Sequence, residues 1–251
     1  MYKYLTISGQ EGVAVMTFQR PDQLNAMNRA FMDEIIDALH SINRDNAVRA
    51  VIITGNGRAF MAGADIKEYA AQTDEEFLAF QKKGWDLYNA IEQSEKPYIA
   101  AVNGFALGGG FEIALACDMI VACTEAQFGL PEIHLGLVPG GGGTQRLIQK
   151  ISINRVRELL YTGGKFTTQK MYEWGIVNYI APQDKLMEVA SDLAQKMTRR
   201  PRRALSELKK LALLSTAPIS LSQRMATEAE TLYALFHTQE AQEKIQAFAN
   251  K

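Results

Sequence analysis

Residues that build disulfide frameworks or metal sites are scarce in this sequence. Cys117 and Cys123 are its only cysteines among 251 residues, and they are not in CxxC spacing. Two buried thiols of a reducing compartment are therefore favoured over a disulfide. The histidines, His40, His134 and His237, are scattered, without HExxH or paired spacing. We accordingly expect no metal site.

The sequence also has no excess of one charge and no long hydrophobic run. Its 27 Lys and Arg residues balance 28 Asp and Glu residues, for a net charge of −1. Such a balance creates no global field that would favour nucleic acid or an anionic membrane. The apolar runs are interrupted well short of a membrane span, and the first residues do not resemble a secretory signal. We expect a soluble, cytoplasmic protein with no nucleic-acid partner and no membrane partner.

The two glycine-rich stretches do not match the common nucleotide-binding loops. GGGGTQR, at 140–146, lacks the Lys-Ser/Thr ending of a P-loop. Neither stretch fits GxGxxG, since Ile113 and Gln145 stand where the third glycine should be. No GxSxG is present, so a Ser-His-Asp triad also lacks its local signature. Nucleotide hydrolysis, dinucleotide binding and serine-nucleophile chemistry all lose support.

Hydrophobic periodicity predicts an α/β protein. Short apolar or β-branched runs predict buried strands at 13–18, 50–54, 98–102 and 119–122. Amphipathic helices are predicted between them, one of them after a Thr73-to-Glu76 capping box. Strands that alternate with helices are typical of βα units.

From about residue 184 the pattern becomes helical. We predict helices at 184–197, after Pro201, after Pro218 and at 239–249. The third has one apolar stripe, consisting of Leu221, Met225, Ala229, Leu232 and Phe236. This stripe must bury against the core or against another subunit. The predicted layout is one α/β body with a helical C-terminal section.

Two glutamates lie in apolar, glycine-rich surroundings, twenty positions apart. Glu112 follows Gly108-Gly109-Gly110 at the start of a helix-forming segment, and Glu132 precedes the second glycine stretch. A carboxylate in such surroundings is costly to desolvate unless a partner or a proton stabilises it. Glycines at a helix entrance let a substrate approach free N–H groups, although a tight packed turn needs glycine equally. The pattern indicates an acid–base pair beside backbone donors.

Five segments in order resemble the enoyl-CoA hydratase/isomerase (crotonase) family over nearly the whole chain. They are RPDQLNAM (20–27), AFMAGADIKEY (59–69), KPYIAAVNGFALGGGFE (96–112), PEIHLGLVPGGGGTQRL (131–147) and TGGKFTTQKMYEWGIVNYI (162–180). The resemblance implies a repeated ββα spiral core, residues 1–190, that carries the active site. It also implies a C-terminal helical section, residues 191–251, that assembles a homotrimer or a dimer of trimers.

The resemblance also implies roles for particular residues. The N–H groups of Ala64 and Gly109 would form an oxyanion hole for a thioester carbonyl. Glu112 and Glu132 would hold a water between them, with Glu112 as the base toward water and Glu132 as the proton donor to Cα. Coenzyme A would be part of the substrate, with no separate cofactor. The positions expected to contact it are Ala62, Asp65, Ile66, Lys67, Phe248 and Lys251, the last two reaching a neighbouring subunit.

Two residues depart from the usual family pattern. Phe111 is bulkier than the residues often found before the first glutamate, so it either narrows the acyl pocket or packs in the core. His134 stands where an apolar or amide residue is usual, and contacts either an acyl tail or a neighbouring loop. The chain also ends earlier than the family tail, which bears on contacts with the adenine. These departures concern substrate choice more than reaction type.

The leading expectation is hydration of 2-enoyl-CoA thioesters to 3-hydroxyacyl-CoA. Enoyl-CoA isomerases of the family commonly keep one of the two glutamates, whereas this sequence has both. Hydratases specialised for branched or aromatic acyl groups remain an alternative. An RNA-binding or non-catalytic thioester-binding member is a more distant one, supported by the basic residues at 199–203, Lys209 and Lys210. For that cluster a solvated basic helix face is the favoured interpretation, because the total charge is near zero.

Overall fold

The strands form two sheets in the computed structural model, which describes residues 1–250. The strands are β1 (Leu5–Gln10), β2 (Val13–Phe18), β3 (Ala50–Gly55), β4 (Ala59–Met61), β5 (Tyr98–Val102), β6 (Phe105–Leu107), β7 (Met119–Cys123), β8 (Gln127–Gly129), β9 (Phe166–Thr167) and β10 (Tyr179–Ala181). The larger sheet has the order β1-β2-β3-β5-β7-β10, and the smaller one β4-β6-β8-β9. Pairing is parallel except between β1 and β2 and between β8 and β9.

The α-helices of the described residues include four long ones in the last third of the chain. They are α1 (Arg29–Arg44), α2 (Ile66–Ala70), α3 (Asp74–Glu92), α4 (Gly109–Ala116), α5 (Gly143–Lys150), α6 (Ile153–Thr162), α7 (Thr168–Glu173), α8 (Leu186–Thr198), α9 (Arg202–Leu214), α10 (Leu221–Phe236) and α11 (Gln239–Ala249). Short 3₁₀ turns occur at Pro21–Gln23, Pro131–Leu135 and Gln183–Lys185.

From β3 to β8, successive strands alternate between the two sheets. The pairs β3 and β4, β5 and β6, and β7 and β8 each place one strand in the larger sheet and the next in the smaller one. Helices α2 and α3 follow the first pair, and α4 follows the second. The chain thus repeats a ββα unit, which confirms the expected α/β spiral. All residues of β5 are buried, as parallel strands covered on both faces require.

The predicted elements agree well with the structure. The strands at 13–18 and 98–102 and the last helix have the predicted bounds, while the other two strands are one residue longer than predicted. The Thr73 capping box is present, because Thr73 Oγ1 accepts from Glu76 N at 3.2 Å and Glu76 Oε2 accepts from Thr73 N at 3.1 Å. The third C-terminal helix does not begin at Pro218, since Ser220 caps it and the first helical residue is Leu221.

The C-terminal helices differ from the rest in burial. Helix α8 packs on the larger sheet through Leu186, Ala190 and Ala194, so the predicted division at residue 190 falls inside one continuous helix. Helices α10 and α11 have no buried residue. The large side chains of the predicted stripe are exposed, from 49% at Phe236 to 67% at Leu232. Within this chain the stripe therefore has no core to cover it.

Three further observations bear on the expectations from composition. Cys117 and Cys123 are both buried and unpaired, as predicted. Within residues 1–250, the His, Cys, Asp and Glu side chains form no group of three suited to a metal ion. No helix in the same part of the chain is both long and apolar enough to span a bilayer.

Candidate active site

A cavity of about 350 Å³ lies between α3, the start of α4 and the loop from Pro131 to Gly141. Its wall includes the four residues for which the sequence suggested a chemical role, Ala64, Gly109, Glu112 and Glu132. Residues from three separate segments are therefore brought to one concave surface. Such a cavity, mostly apolar with a few convergent polar groups, is the usual form of a small-molecule site.

The glycine run before Glu112 serves packing and access at different positions. Gly108 has φ +51° and ψ −128°, a backbone conformation that other residues rarely adopt. A Cβ at Gly110 would overlap the carbonyl oxygen of Met61, so this glycine lets α4 approach β4. Gly109 instead lines the cavity. The run therefore combines close packing, at Gly110, with backbone that is open to the cavity, at Gly109.

Glu112 lies in the first turn of α4 and is 3% exposed. Its Oε1 accepts hydrogen bonds from the N–H groups of Gly141 and Gly143, each at 2.8 Å. Burial raises the pKa of Glu112, while the two N–H donors and the charge of Arg146 act in the opposite direction. The carboxylate is thus desolvated but held in one orientation with its charge partly compensated.

Glu132 lies on the 3₁₀ turn Pro131–Leu135 and is only half-buried as a residue. Its Oε2 is nevertheless buried, and among residues 1–250 it has no hydrogen-bond partner. Burial, together with the charge of Glu112, raises the pKa of Glu132 to about 7. A carboxyl group with this pKa carries a proton in a large share of molecules at neutral pH. The two glutamates therefore face one cavity in opposed environments.

Two backbone N–H groups in the cavity wall are free to bind an anion. Gly109 is the first residue of α4, so its N–H lies outside the hydrogen-bond ladder of the helix. Ala64 lies opposite Met27 in an isolated β-bridge. The residues on either side of Ala64 make the hydrogen bonds: the Met27 N–H donates to the Gly63 carbonyl oxygen at 2.8 Å, and the Asp65 N–H donates to the Met27 carbonyl oxygen at 2.9 Å. In the described part of the chain neither N–H has an acceptor. Two unpaired N–H donors in one cavity wall are the kind of group from which an oxyanion hole is built.

Tyr88 is a site residue for which the sequence offers only a place in the apolar stripe of the helix after Thr73. It is 3% exposed, lines the cavity and lies beside Glu112. Burial raises the pKa of Tyr88 well above its usual value, and the charge of Glu112 adds to that effect. The nearby Tyr88 hydroxyl in turn acts to lower the pKa of Glu112. A tyrosine at a stripe position has no sequence signal that separates this role from core packing.

Arg146 was also missed, although it ends the GGGGTQR segment. Its Nε and Nη2 donate to the two carboxylate oxygens of Glu92, each at 2.9 Å. Its Nη1 donates to the carbonyl oxygen of Gly141 at 2.7 Å. A bidentate pair of this geometry fixes the guanidinium. Arg146 therefore holds the glycine loop whose N–H groups bind Glu112.

The residues expected along coenzyme A lie partly at the cavity and partly far from it. Ala62 and Ile66 line the cavity. The Asp65 carboxylate accepts from Arg20 Nη2 at 3.1 Å, so it is already paired. Lys67 is exposed on α2. Phe248 is 81% exposed on α11 and does not line this cavity, and Lys251 lies outside the described residues.

The two unusual residues of the sequence have different surroundings. Phe111 is fully buried against Phe128, with ring centroids 5.4 Å apart, and it does not line the cavity. Of the two alternatives for Phe111, core packing applies, because α4 directs the side chain into the core. His134 lines the cavity, and its Nε2 lies 3.2 Å from the carbonyl oxygen of Gly163. It therefore combines a loop contact with access to the cavity.

The basic residues near α9 are not uniformly a solvated face. Lys209 Nζ donates to Asp118 Oδ2 at 2.9 Å and to the carbonyl oxygens of Ile91 and Lys96, each at 3.0 Å. Its side chain is only 8% exposed. The interpretation as a solvated face is wrong for this residue, which attaches α9 to the core. Lys210 is half-exposed and pairs with Glu207 at 3.0 Å.

Comparison with known proteins agrees with this fold. The family model described as enoyl-CoA hydratase/isomerase matches residues 8–251. The chain is 38% identical to the 2,3-dehydroadipyl-CoA hydratase of Escherichia coli K12, over 98% of this chain and 96% of that protein. It is 36% identical to the crotonyl-CoA hydratase of Syntrophomonas wolfei, over 100% and 96% respectively.

Solved structures show the same similarity. An enoyl-CoA hydratase crystal structure from Bacillus anthracis superposes with a TM-score of 0.94 at 34% identity, covering 99% of this chain and 96% of that one. The match extends over the core and the C-terminal helices alike. The chain belongs to the enoyl-CoA hydratase/isomerase family, and the resemblance drawn from its five segments is confirmed.

Proposed function

We propose that the protein is an enoyl-CoA hydratase, which adds water to the double bond of a 2-enoyl-CoA thioester and gives 3-hydroxyacyl-CoA. The observation that supports this most directly is the pair of carboxylates with opposed environments in one cavity. Glu112 is held by two N–H donors, whereas Glu132 has an unpartnered oxygen and a pKa of about 7. Addition of water needs a proton acceptor and a proton donor, and this pair supplies both.

The free N–H groups of Ala64 and Gly109 would stabilise the charge that forms during the reaction. When water attacks C3, electron density moves through C2 to the thioester oxygen as an enolate. Preorganised donors of this kind are each typically worth about 3 kcal/mol in the transition state. The N–H of Gly109 adds the positive end of α4. This chemistry involves the coenzyme A thioester as substrate and calls for no separate cofactor.

The proton transfers follow from the surroundings of the two glutamates. Glu112 would act as the base, because its two N–H donors, Arg146 and Tyr88 all favour its ionised form. Glu132 would act as the acid, because burial and the charge of Glu112 favour its protonated form. One proton passes from water to Glu112 as the C3–O bond forms, and one passes from Glu132 to C2. The pair titrates as a coupled unit.

The coenzyme A portion would leave the cavity past Ala62, Asp65, Ile66 and Lys67. Ala62 and Ile66 already line the cavity, and the Arg20 pair fixes the start of α2 through Asp65. Lys67 is exposed and has no ion-pair partner among residues 1–250, so it is available to phosphates. Phe248 and Lys251 would extend this contact from a neighbouring subunit.

The exposed apolar face of α10 supports a homotrimeric assembly, alone or paired into a hexamer. Leu221, Met225 and Leu232 are each at least 60% exposed, an arrangement that is unfavourable in water unless a second surface covers it. Light scattering during size exclusion should report three or six subunits. A Leu232→Glu variant, which places a charge on this face, should shift the protein to smaller species. A monomeric wild-type protein would contradict the assembly.

The test of function is the reaction with crotonyl-CoA. We expect the purified protein to remove the absorbance of the conjugated thioester and to form 3-hydroxybutyryl-CoA, identified by mass spectrometry as a gain of one water. Conversion to but-3-enoyl-CoA, without a change in mass, would instead assign isomerisation. Binding of crotonyl-CoA with no product at all would favour a thioester-binding role without turnover.

A further inference from the structure

Gly84 differs from the other glycines in the helices around the site. It lies in the interior of α3, where glycine is less favourable than alanine because more backbone entropy is lost on folding. Close neighbours explain two other glycines in the helices around the site. A Cβ at Gly110 would overlap the Met61 carbonyl, and one at Gly143 would lie 2.9 Å from Leu130 Cδ1.

No such neighbour explains Gly84. A Cβ built there would have one heavy atom within 4 Å, Tyr88 Cε2 at 3.6 Å, which is an ordinary van der Waals contact. Gly84 also lines the cavity. Packing among residues 1–250 would therefore accept alanine, which is the better helix former. The missing side chain leaves space that belongs to the cavity.

This space lies where the far end of an acyl group must go. Gln81 and Tyr88 flank Gly84 on the same face of α3, three residues before it and four residues after it. Tyr88 lies beside Glu112, so the gap continues from the position of the attacked carbon. In the proposed function the coenzyme A portion is assigned to the separate segment 62–67. The space at Gly84, on α3, is thus available to the acyl tail beyond C3.

The wall of the cavity selects against a charged tail. It includes the apolar side chains of Met27, Met32 and Phe80. No lysine or arginine lines the described cavity, and two glutamates do. A carboxylate at the end of the acyl chain would lose its hydration without gaining a lysine or arginine partner, which is unfavourable. A neutral tail meets no such penalty.

We propose that Gly84 opens a subsite for neutral acyl tails longer than the four carbons of crotonyl-CoA, and that the absence of a side chain at this position determines chain-length selectivity. The inference rests on the proposed function, because it assigns the tail of the same thioester substrate. It concerns selectivity among substrates, whereas the glutamates concern the reaction itself.

The test compares Gly84→Ala and Gly84→Leu with Lys82→Leu, which adds the same side chain to the exposed face of α3. The quantity measured is the ratio of kcat/KM for oct-2-enoyl-CoA to that for crotonyl-CoA. We expect this ratio to fall at least about tenfold in Gly84→Leu, less in Gly84→Ala, and to stay at the wild-type value in Lys82→Leu. An unchanged ratio in Gly84→Leu would overturn the proposal.

Thermal unfolding separates this role from a packing role. If Gly84 only leaves space in the cavity, Gly84→Ala should have a Tm equal to or above that of the wild type, because alanine favours the helix. A lower Tm for Gly84→Ala would show that packing requires the glycine and would refute the inference.

Two further measurements test the subsite, one with substrates of equal chain length and one by binding without turnover. Hex-2-enoyl-CoA and 2,3-dehydroadipyl-CoA have equal chain lengths, so we expect at least about tenfold lower kcat/KM for the second because of its carboxylate. Similar values would overturn the neutral-tail assignment. By calorimetry, saturated octanoyl-CoA should bind more weakly to Gly84→Leu than to the wild type, with butyryl-CoA as reference. If octanoyl-CoA binds Gly84→Leu more weakly but the wild type hydrates no substrate, the proposed function would be refuted and the subsite would be supported.

Discussion

Glu112 and Glu132 occupy the same cavity, but the chain surrounds them in contrasting ways. Glu112 stands at a helix start, almost fully buried, with both nearby glycine N–H groups bound to one oxygen. Glu132 stands on a short 3₁₀ turn, and its buried Oε2 has no partner in residues 1–250. Burial raises the pKa of both carboxyls, yet hydrogen bonds oppose this effect mainly at Glu112.

The comparison teaches that identical side chains acquire different roles from backbone partners rather than from burial. Two N–H donors favour an ionised carboxylate, and an unpartnered oxygen favours a protonated one. Environments that separate the proton affinities of two carboxyls are a known basis of acid and base assignment in enzymes. Here the difference comes from the glycine loop, which reaches one glutamate and not the other. The following variants act on that difference.

Removal of either carboxylate should have the largest effect. We expect Glu112→Gln and Glu132→Gln each to lower kcat with crotonyl-CoA by about 10³-fold, because each removes one proton-transfer group. Stopped-flow absorbance measures the rate, and calorimetry should show that crotonyl-CoA still binds. Glu125→Gln, which changes an exposed glutamate, is the control and should retain wild-type kcat. Wild-type turnover in either site variant would contradict the two-carboxylate mechanism.

Displacement of the loop that binds Glu112 should have the next largest effect. A Cβ at Gly141 would overlap the ring of Tyr88 and lie 2.5 Å from Glu112 Oε2. Gly141→Ala should lower kcat/KM by about 10²-fold, because a small misplacement of a catalytic group is costly. In the neighbouring Gly140→Ala the new Cβ would meet Gln81 Oε1 at 2.5 Å, on a flexible side chain that can move. Equal losses in the two variants would refute this role for Gly141.

The pH dependence of kcat/KM should report the contrast directly. Glu132 must be protonated to donate to C2, and its pKa is about 7, so activity should fall as the pH rises above 7. The fall should approach tenfold per pH unit. Glu132→Gln should lack this limb in its residual activity. A flat profile from pH 6 to 9 in the wild type would count against Glu132 as the acid.

The same pKa has a consequence for stability. A carboxyl whose folded-state pKa is raised from 4.5 to about 7 binds its proton more tightly in the folded protein. Its contribution to the free energy of unfolding is present at low pH and is lost as the pH rises through that interval. The Tm of Glu132→Gln minus the Tm of the wild type should therefore increase from pH 5 to pH 8. A constant difference in Tm would contradict the raised pKa.

Among the site variants, loss of the Tyr88 hydroxyl should have the smallest effect on the rate. Tyr88→Phe removes a hydroxyl beside Glu112 that favours the ionised carboxylate, so we expect about a tenfold loss in kcat/KM. The pKa of Glu112 should rise, which shifts the acidic limb of the kcat/KM profile to higher pH. Tyr69→Phe is the matched control, because that cavity hydroxyl lies 3.5 Å from Gln81 Nε2 rather than beside Glu112. A rate loss without a shift of the limb would indicate a packing role only.

The regular elements were largely predictable because local periodicity sets them. The strand at 98–102 is a continuous apolar run, and the helix after Thr73 has its capping box. The family segments also identified Glu112 and Glu132 as residues of one cavity. Prediction failed where a contact over long sequence distance decided the outcome. Lys209 reads as a solvated lysine, yet it binds Asp118, 91 positions away.

Sequence alone determined the α/β class, the two glutamates and the glycine runs, because each depends on residue type and on spacing along the chain. Tertiary structure decided which glycine lies against a strand and which faces the cavity. It also placed the N–H groups of Gly141 and Gly143 on Glu112, and left Glu132 Oε2 without a partner. Desolvation and hydrogen bonding act through space, and the chain must fold before those distances exist.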